Sequence, residues 1–404
     1  MPEFPYHRLR RWPDVEAAEL QAHDATDELL VARGLESGVP GRQIAVIGDR
    51  YGAITLPLTD AALDGIRVHQ DLATGRRALA RNAAELGLGG FIEHELDPGL
   101  LADARLVLLQ LPTSLAELGE IADAVARWAH PEVVLVAGGR VKHMTLAQND
   151  VLARSFGSVR AQRAERKSRL IVADGALPVP AVRPFPVTAR HGDLTLVAHG
   201  GVFAGAKLDI GTRVLLDVLE GSGSRSGPRS GSRSQLWRSA PDPAESGRNG
   251  DAATQVSGVV NETVVDLGCG TGVLAVSYAR KHPAARVIAT DRSAAAVASA
   301  RATVTANGLD DRIEVTHDDA GSRIADAGVD VVLLNPPFHL GSSVHTGAAT
   351  RLFEAAARVL RPGGELLTVY NSSLAYRAEL SRLVGPTEQL HRTPKFTVTR
   401  SIRR

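Results

Sequence analysis

The sequence predicts an α/β chain that contains two tandem, doubly wound Rossmann-like domains. Apolar, β-rich runs alternate with alanine-rich helical stretches in the C-terminal half, and this alternation is typical of a parallel sheet covered by helices on both faces. A similar order of strands and turns occurs earlier in the chain, which indicates a duplicated fold. The strands predicted in the second half are 264–267, 287–291, 313–318, 330–335 and 365–370.

An internal repeat relates the two halves. Residues 44–52 (IAVIGDRYG) align with residues 264–272 (VVDLGCGTG), and the same offset places Asp71 on Asp291. Two later strand pairs continue the match, 106–112 with 330–336 and 132–137 with 365–370. The copies differ at polar positions, where Val46, Arg50 and Leu111 stand in place of Asp266, Gly270 and Asn335. We therefore expect a degenerate N-terminal domain and an active C-terminal domain.

Prolines and composition set the predicted domain boundaries. The segment VRPFPVTAR interrupts regular structure before a strand-like run, so we predict domains at residues 1–185 and 186–404. Residues 200–219 form a lead-in that ends in an amphipathic helix. Residues 221–258 are rich in Gly, Ser and Arg and are predicted to be a flexible insertion. Its arginines could touch RNA, although a solvated variable loop is the simpler interpretation.

Composition indicates a globular protein and excludes several classes of site. Of the 404 residues 44% are hydrophobic and 23% charged, and no apolar run reaches the roughly 18 to 20 residues of a membrane span. We expect a cytoplasmic monomer. The single cysteine, Cys269, excludes an internal disulfide and a cysteine-based zinc site, and no metal is expected. The net charge of +1 leaves binding of nucleic acid open.

The motif DLGCGTG predicts a cofactor turn. Asp266 ends a strand, and Gly268, Gly270 and Gly272 allow positive φ and let backbone amides approach a ligand. The pattern departs from the GxGxxG of dinucleotide enzymes, and a carboxylate before the glycines suits a cationic amino-acid moiety better than a pyrophosphate. S-adenosylmethionine carries such a moiety, so it is preferred to NAD. The predicted site includes Cys269.

Two further acidic residues follow the next strands. Asp291 ends the second strand, where its carboxylate can accept hydrogen bonds from a ribose diol. Asp319 follows the third strand and is placed to accept from an adenine amino group; the alternative is that it caps a helix. Their neighbours Arg292 and Ala320 complete the predicted cofactor site.

The sequence DVVLLNPPF predicts a catalytic loop at the end of a buried strand. The side-chain oxygen of Asn335 and the carbonyl of Pro336 can both accept from one exocyclic NH₂ group, and with Pro337 the loop has a restricted backbone. The two acceptors would turn the nitrogen lone pair toward an electrophile. Phe338 offers a face on which a planar substrate can stack, or alternatively anchors the loop in the core.

These motifs resemble a known family. VVDLGCGTGVLA with NPPF is similar to class I methyltransferases that act on planar amines of adenine, protein glutamine or ribosomal RNA guanine. The whole arrangement resembles the bacterial ribosomal RNA guanine-N2 methyltransferases of the RsmC and RlmG type, and residues 142–173 look more like the large-subunit enzyme. The resemblance implies methyl transfer from S-adenosylmethionine to guanine N2 in 23S rather than 16S RNA.

The resemblance and the charge pattern suggest where RNA binds. The resemblance places Phe203, Lys207 and Asp209 near the cofactor or target base, although the two charged residues could equally flank a helix start on the surface. A basic run between residues 154 and 169 predicts a helix face that follows a phosphate backbone, with a merely solvated helix as the alternative. The run includes Arg160, Arg163, Arg166, Lys167 and Arg169. The expected partner is ribosomal RNA or a subunit assembly particle.

Two other functions compete with this one. A protein glutamine N5-methyltransferase would use the same Asn-Pro-Pro chemistry, but the basic run and the duplicated domain favour RNA. A non-catalytic RNA-binding protein would need both copies to be vestigial. The joint presence of polar and glycine residues in the second copy speaks against that hypothesis: Asp266, Gly268, Gly270, Asp291 and Asn335.

Overall fold

The computed structural model describes residues 4–17, 19–221, 262–337 and 346–404. Within these ranges the chain forms two seven-stranded sheets, one two-stranded hairpin and the helices that cover them. Both sheets have the same strand order. The first five strands pair in parallel, and each of the last two strands joins its neighbour through an antiparallel pairing. The prediction of two tandem α/β, Rossmann-like units is confirmed.

The first sheet and its helices, here called the first unit, have strand order β3-β2-β1-β4-β5-β7-β6. The strands are β1 (Ile44–Ile47), β2 (Ile66–His69), β3 (Phe91–Glu93), β4 (Leu106–Gln110), β5 (Val134–Arg140), β6 (Phe156–Ala161) and β7 (Ser168–Ala176). The helices are α1 (Ala25–Glu36), α2 (Thr55–Asp60), α3 (Ala73–Leu86), α4 (Pro98–Leu101), α5 (Leu115–Trp128) and α6 (Leu146–Leu152).

The second sheet and its helices, here called the second unit, repeat this order as β12-β11-β10-β13-β14-β16-β15. The strands are β10 (Thr263–Leu267), β11 (Arg286–Asp291), β12 (Ile313–His317), β13 (Val329–Leu334), β14 (Leu360–Asn371), β15 (Thr387–Arg392) and β16 (Phe396–Ile402). The helices are α7 (Ile210–Leu219), α8 (Val273–Lys281), α9 (Ala294–Ala306), α10 (Thr346–Val359) and α11 (Arg377–Leu383). The five strands predicted in this half are thus all present.

A hairpin of β8 (Val187–His191) and β9 (Leu194–Ala198) lies between the units and docks on α9. The amide of Val197 donates to Thr303 Oγ1 at 3.0 Å, and the amide of His199 donates to Ser299 Oγ at 2.9 Å. Side chains of α9 therefore satisfy backbone groups on the open edge of β9. The boundary at residue 185 falls between β7 and β8 and stays a prediction. Residues 222–258 of the predicted insertion lie outside the described residues.

Each central strand is buried on both faces. On β1, Ile44 and Val46 pack into one hydrophobic cluster, whereas Ala45 and Ile47 pack into another. On β10, Val264 and Val265 divide between two clusters in the same way. Because successive side chains of a strand point to opposite faces, this division explains the continuous apolar runs in the sequence.

The basic run forms a β-hairpin, so the predicted helix is wrong. Residues 154–169 contain β6, a loop and the start of β7, and the turn places Arg166 and Lys167 in left-handed conformations with φ of 46° and 64°. Phe156 is buried at the start of β6, whereas Arg160, Arg163, Arg166 and Lys167 are exposed and Arg169 is half-buried. Arg160 pairs with Asp174 at 2.5 Å, and Arg166 pairs with Glu28 of α1.

The described ranges contain neither a membrane-spanning helix nor a cluster of metal-ligating side chains. No helix in those ranges is long and apolar enough to cross a bilayer. Nor do His, Cys, Asp and Glu side chains there form a group of three or more that could hold a metal ion.

The core of the second unit provides a test of the fold. Phe353 on α10 is fully buried and meets Tyr376 edge-to-face, with ring centroids 5.2 Å apart. We expect Phe353→Ala to lower the free energy of unfolding by about 3 to 5 kcal/mol, because it removes an aromatic side chain and leaves a cavity. Urea denaturation followed by circular dichroism measures the change. Leu146→Ala, at a side chain that is 80% exposed, is the control, and equal effects of both variants would contradict the packing described.

Candidate cofactor and amine site

A cavity of about 500 Å³ lies beyond the carboxyl ends of β10, β11 and β13. Ligands of open α/β sheets bind at this edge, and the volume is in the range of small-molecule sites. The cavity is lined by parts of the glycine turn, the end of β11 and the Asn-Pro-Pro segment, which the structure thus brings together. Three residues of the first unit complete the wall: Asp71, Leu72 and Thr113.

The glycine turn is shaped by backbone conformation. Gly268, Gly270 and Gly272 have φ of 78°, 54° and 77°, which L side chains rarely adopt. The amides of Gly268 and Cys269 donate to the carbonyl of Thr290 at 2.8 and 3.0 Å, so the turn is tied to β11. A Cβ on Gly272 would lie 3.1 Å from that of Ala300, and Gly272 does not line the cavity. This glycine serves the packing of α8 against α9 and is not placed to touch a ligand.

Asp266 lies behind the turn. Its side chain is buried, it accepts a hydrogen bond from the amide of Ala275 at 3.0 Å, and burial raises its pKa to about 7. It is not among the residues that line the cavity, so the structure does not bring Asp266 to a ligand as the sequence suggested. Cys269 does line the cavity, and burial raises the pKa of its thiol, which opposes a nucleophilic role.

Asp291 lines the cavity wall at the end of β11. Its Oδ2 accepts from the amide of Gly270 and its Oδ1 from the amide of Ser293, both at 2.9 Å. Burial raises the pKa of this carboxyl, while the two backbone hydrogen bonds oppose the rise. One carboxylate thereby fixes both the glycine turn and the start of α9. The exposed Arg292 also lines the cavity, as predicted for a neighbour.

Asp319 is the third acid of the predicted cofactor site. Asp319 lines the wall beside Ala320, whose φ is 52°, and its carboxylate pairs with Arg351 of α10. Turns rather than a helix follow Asp319, so the helix-cap alternative is wrong. No sequence motif identified Arg351, because α10 carries none.

The neighbouring Asp318 connects this loop to the first unit. It is buried and accepts from Ser322 Oγ, from the amide of Arg323 and from Arg77 of α3. Burial alone would raise its pKa, but these hydrogen bonds and the guanidinium charge outweigh burial and hold the pKa below the usual range. Asp318 is therefore a structural carboxylate that joins the two units.

The orientation of the Asn335 amide follows from its partners. Asn335 Nδ2 donates to Asp209 Oδ2 at 3.2 Å and to Thr212 Oγ1 at 2.9 Å. Because a carboxylate can only accept, the NH₂ group must face Asp209 and the carbonyl oxygen must face away from it. Asn335 Oδ1 is buried and has no hydrogen-bond partner within the described part of the chain. A buried acceptor without a donor is costly, so this oxygen is suited to receive an N–H group of a ligand.

The segment before α7 supplies the remaining contacts. Asp209 caps α7 by accepting from the amide of Thr212 at 3.2 Å, and both residues line the cavity. Phe203 and Lys207 line it as well, and the aromatic ring of Phe203 is 68% exposed. The sequence motifs missed Thr212, which lies in the lead-in of residues 200–219 and belongs to no motif.

The catalytic loop is described only in part. Pro336 and Pro337 line the cavity beside Asn335. The predicted platform residue Phe338 lies outside the described residues. Among the described residues, the exposed ring of Phe203 is therefore the aromatic face available at this cavity.

The corresponding edge of the first unit has different chemistry. A cavity of about 600 Å³ lies at the ends of β1, β2 and β4, where its wall includes Gly48, Asp71 and Gln110. In the turn after β1, the buried Asp49 accepts from the amides of Ile54 and Thr55 at 3.1 and 2.7 Å. One oxygen of that carboxylate, Oδ2, thus closes its own turn.

Two family models match separate parts of the chain. Residues 2–176 match the RLMG N-terminal domain family, and residues 253–400 match the methyltransferase small domain family. The crystal structure of T. thermophilus 16S rRNA methyltransferase RsmC, in complex with AdoMet and guanosine, has a TM-score of 0.69 and 22% identity and covers 99% of each chain. This likeness shows that the tandem fold extends over the whole chain.

Similar curated proteins share nearly the full length. The ribosomal RNA large subunit methyltransferase G of Streptomyces coelicolor is 34% identical and covers 98% of this chain and 97% of its own. The proteins of the same name from Pseudomonas paraeruginosa and Shewanella amazonensis are 34% and 31% identical, and the matches cover 97% and 98% of this chain and 96% of each relative. The chain therefore belongs to the ribosomal RNA large subunit methyltransferase G family.

Proposed function

We propose that this chain transfers a methyl group from S-adenosylmethionine to the exocyclic N2 amine of a guanine in ribosomal RNA, with 23S RNA preferred to 16S RNA. The observation that carries the proposal is the buried, unpartnered Oδ1 of Asn335 on a residue that lines the cavity. The names of the full-length relatives support large-subunit RNA as the substrate. The guanosine bound to the structural relative supports guanine as the base.

The residues of the second unit fit S-adenosylmethionine. The Asp291 carboxylate is placed to accept from a ribose, and Asp319 lies where an adenine amino group could donate. Gly268 and Gly270 line the same space, where the absence of side chains permits close approach of a ligand. When bound, the cofactor supplies an activated methyl group on a sulfonium. In the first copy Arg50 replaces the middle glycine of the turn, and Asp71, which matches Asp291, accepts hydrogen bonds from the second unit.

The role of Asn335 is to hold and orient the amine. Its Oδ1 accepts one N–H of the guanine amine, while Asp209 and Thr212 prevent the amide from turning over. The fixed acceptor directs the nitrogen lone pair toward the methyl group, and alignment of this kind can lower a barrier by several kcal/mol. The amine proton leaves after the new N–C bond has begun to form, so a strong general base is not required.

The target guanine must leave its stack to reach this cavity. Enzymes that modify a base within structured nucleic acid extrude it into a pocket and often stack it on an aromatic ring. The exposed ring of Phe203 at the cavity wall is suited to that contact. We infer that the chain acts as a cytoplasmic monomer on ribosomal RNA or on a subunit assembly particle.

The test of this function is a methylation assay. The chain is incubated with radiolabelled S-adenosylmethionine and with 23S or 16S RNA, naked or as particles, and the product nucleoside is identified. The expected product is N2-methylguanosine in large-subunit RNA. Label in 16S RNA would correct the preferred subunit, label in a protein glutamine would replace the RNA reaction, and failure to bind S-adenosylmethionine would leave only the RNA-binding alternative.

Asn335→Ala separates chemistry from cofactor binding. We expect kcat to fall about 100-fold or more, which is typical of losing a preorganised hydrogen bond to the reacting group, while the Kd for S-adenosylhomocysteine stays within about threefold. Steady-state kinetics and calorimetry measure the two quantities. Thr212→Val is the matched variant, because it removes one restraint on the amide and should give an intermediate loss. Full activity of Asn335→Ala would exclude the proposed role.

The basic hairpin is tested through RNA affinity. Arg163 and Lys167 are exposed, and their side chains have no hydrogen bond or ion pair to other described residues. We expect the double variant Arg163→Ala, Lys167→Ala to weaken RNA binding. The slope of log K against log salt concentration should become shallower by about one to two, because up to two fewer phosphates are neutralised. Filter binding at several salt concentrations measures this. Arg33→Ala with Arg286→Ala, at arginines paired with acids, is the control; unchanged RNA binding in the hairpin variant would place the RNA elsewhere.

A further inference from the structure

The two units meet through a reciprocal backbone contact at equivalent positions. The amide of Ala73 donates to the carbonyl of Arg292, and the amide of Ala294 donates to the carbonyl of Asp71, both at 2.8 Å. Leu72 and Ser293 form an antiparallel bridge between them. Since Asp71 and Asp291 occupy matching places in the repeat, each unit contacts the other directly beyond the acidic end of its second strand.

The Asp71 side chain crosses this junction. Its Oδ1 accepts from the amide of Ala295 at 2.9 Å and from Ser293 Oγ at 3.1 Å, at the N-terminus of α9. A carboxylate at this place satisfies a free amide and interacts favourably with the helix dipole. His317 Nε2 lies 3.0 Å from the carbonyl of Asp71 and 2.8 Å from that of Arg292. Because both carbonyls only accept, Nε2 must carry the proton and donate to them.

The segment that Asp71 holds is the one that carries Asp291. The amide of Ser293 donates to Asp291 Oδ1, while the other oxygen of Asp291 receives the amide of Gly270. A continuous chain of hydrogen bonds thus runs from Asp71 through Ser293 to Asp291 and the glycine turn. Loss of the first link would free the start of α9 to move relative to the cavity.

We propose that Asp71 is a positioning residue for the cofactor site of the second unit. The degenerate copy retains the acid that matches Asp291, and this acid binds the sister unit instead of a ligand of its own. Asp71 acts through Ser293 to keep the Asp291 carboxylate in place for a ribose. The inference rests on the proposed function, because it assigns a consequence to cofactor binding.

Asp71→Ala tests the inference through cofactor affinity. We expect the Kd for S-adenosylhomocysteine, measured by calorimetry on the full chain, to rise about fivefold to tenfold, as for the loss of a helix cap. The KM for S-adenosylmethionine should rise in parallel and account for most of the loss in kcat/KM. Asp71→Asn keeps an acceptor oxygen and should restore most of the affinity. If the alanine variant does not fold, Asp71→Leu fills the same space without an acceptor and should show the same rise.

Asp24→Ala is the matched control. Asp24 caps α1, a helix of 12 residues compared with 13 in α9, by accepting from the amide of Thr26 within the first unit. Its removal should leave the Kd within about twofold, since that cap does not touch the second unit. Unchanged affinity of Asp71→Ala, or an equal loss in Asp24→Ala, would overturn the inference. Failure of the wild-type chain to bind S-adenosylhomocysteine would instead overturn the proposed function.

Discussion

The fixed direction of the Asn335 amide is the constraint on which the functional site depends. A carboxylate has no proton to donate at neutral pH, so Asp209 determines which end of the amide faces it. The opposite end is a buried oxygen that only a donor from outside the described chain can satisfy. On the proposed function, this oxygen receives an N–H of the target amine.

This constraint also explains the order of the chain. Asp209 stands at the start of α7, which precedes the insertion and packs against β14 and β16 of the second sheet. The second unit therefore needs a segment that lies before its own first strand. In the first unit, α1 precedes β1 in the same way, and Asp27 on that helix accepts from Gln110 Nε2 at the end of β4. The first unit thus also has an acid–amide contact between its leading helix and the end of its fourth strand, one position before the Leu111 that stands in place of Asn335.

Much of the fold could be predicted because the central strands are buried on both faces. Apolar runs such as VVDL and DVVLL indicate that burial and predict the sheet of the second unit. The internal repeat then predicts a matching sheet in the first unit. The helix predicted for the basic run was wrong because the run lies on an edge hairpin. Arginines spaced by three residues there come with no apolar pattern that would distinguish a strand from a helix. The motif likewise gives the sequence position of Asp266 but not the surroundings of its side chain.

Contacts between the units had no sequence signal. Asp71 was identified only as the partner of Asp291 in the repeat, and Arg77 belongs to a helix without a motif. Their roles depend on how two sheets and a loop approach each other in space, which no periodicity within one element records. The cavity wall of the second unit is nevertheless built partly from the first, so the degenerate copy contributes to the site without a cofactor turn of its own.

The most direct test is a crystal structure of the full chain with S-adenosylhomocysteine and guanosine. We expect one adenosyl group per chain, in the cavity beyond β10, β11 and β13, with Asn335 Oδ1 within hydrogen-bonding distance of guanine N2. Density for the adenosyl group in the cavity of the first unit, or a guanosine that meets Asn335 through Nδ2, would contradict it.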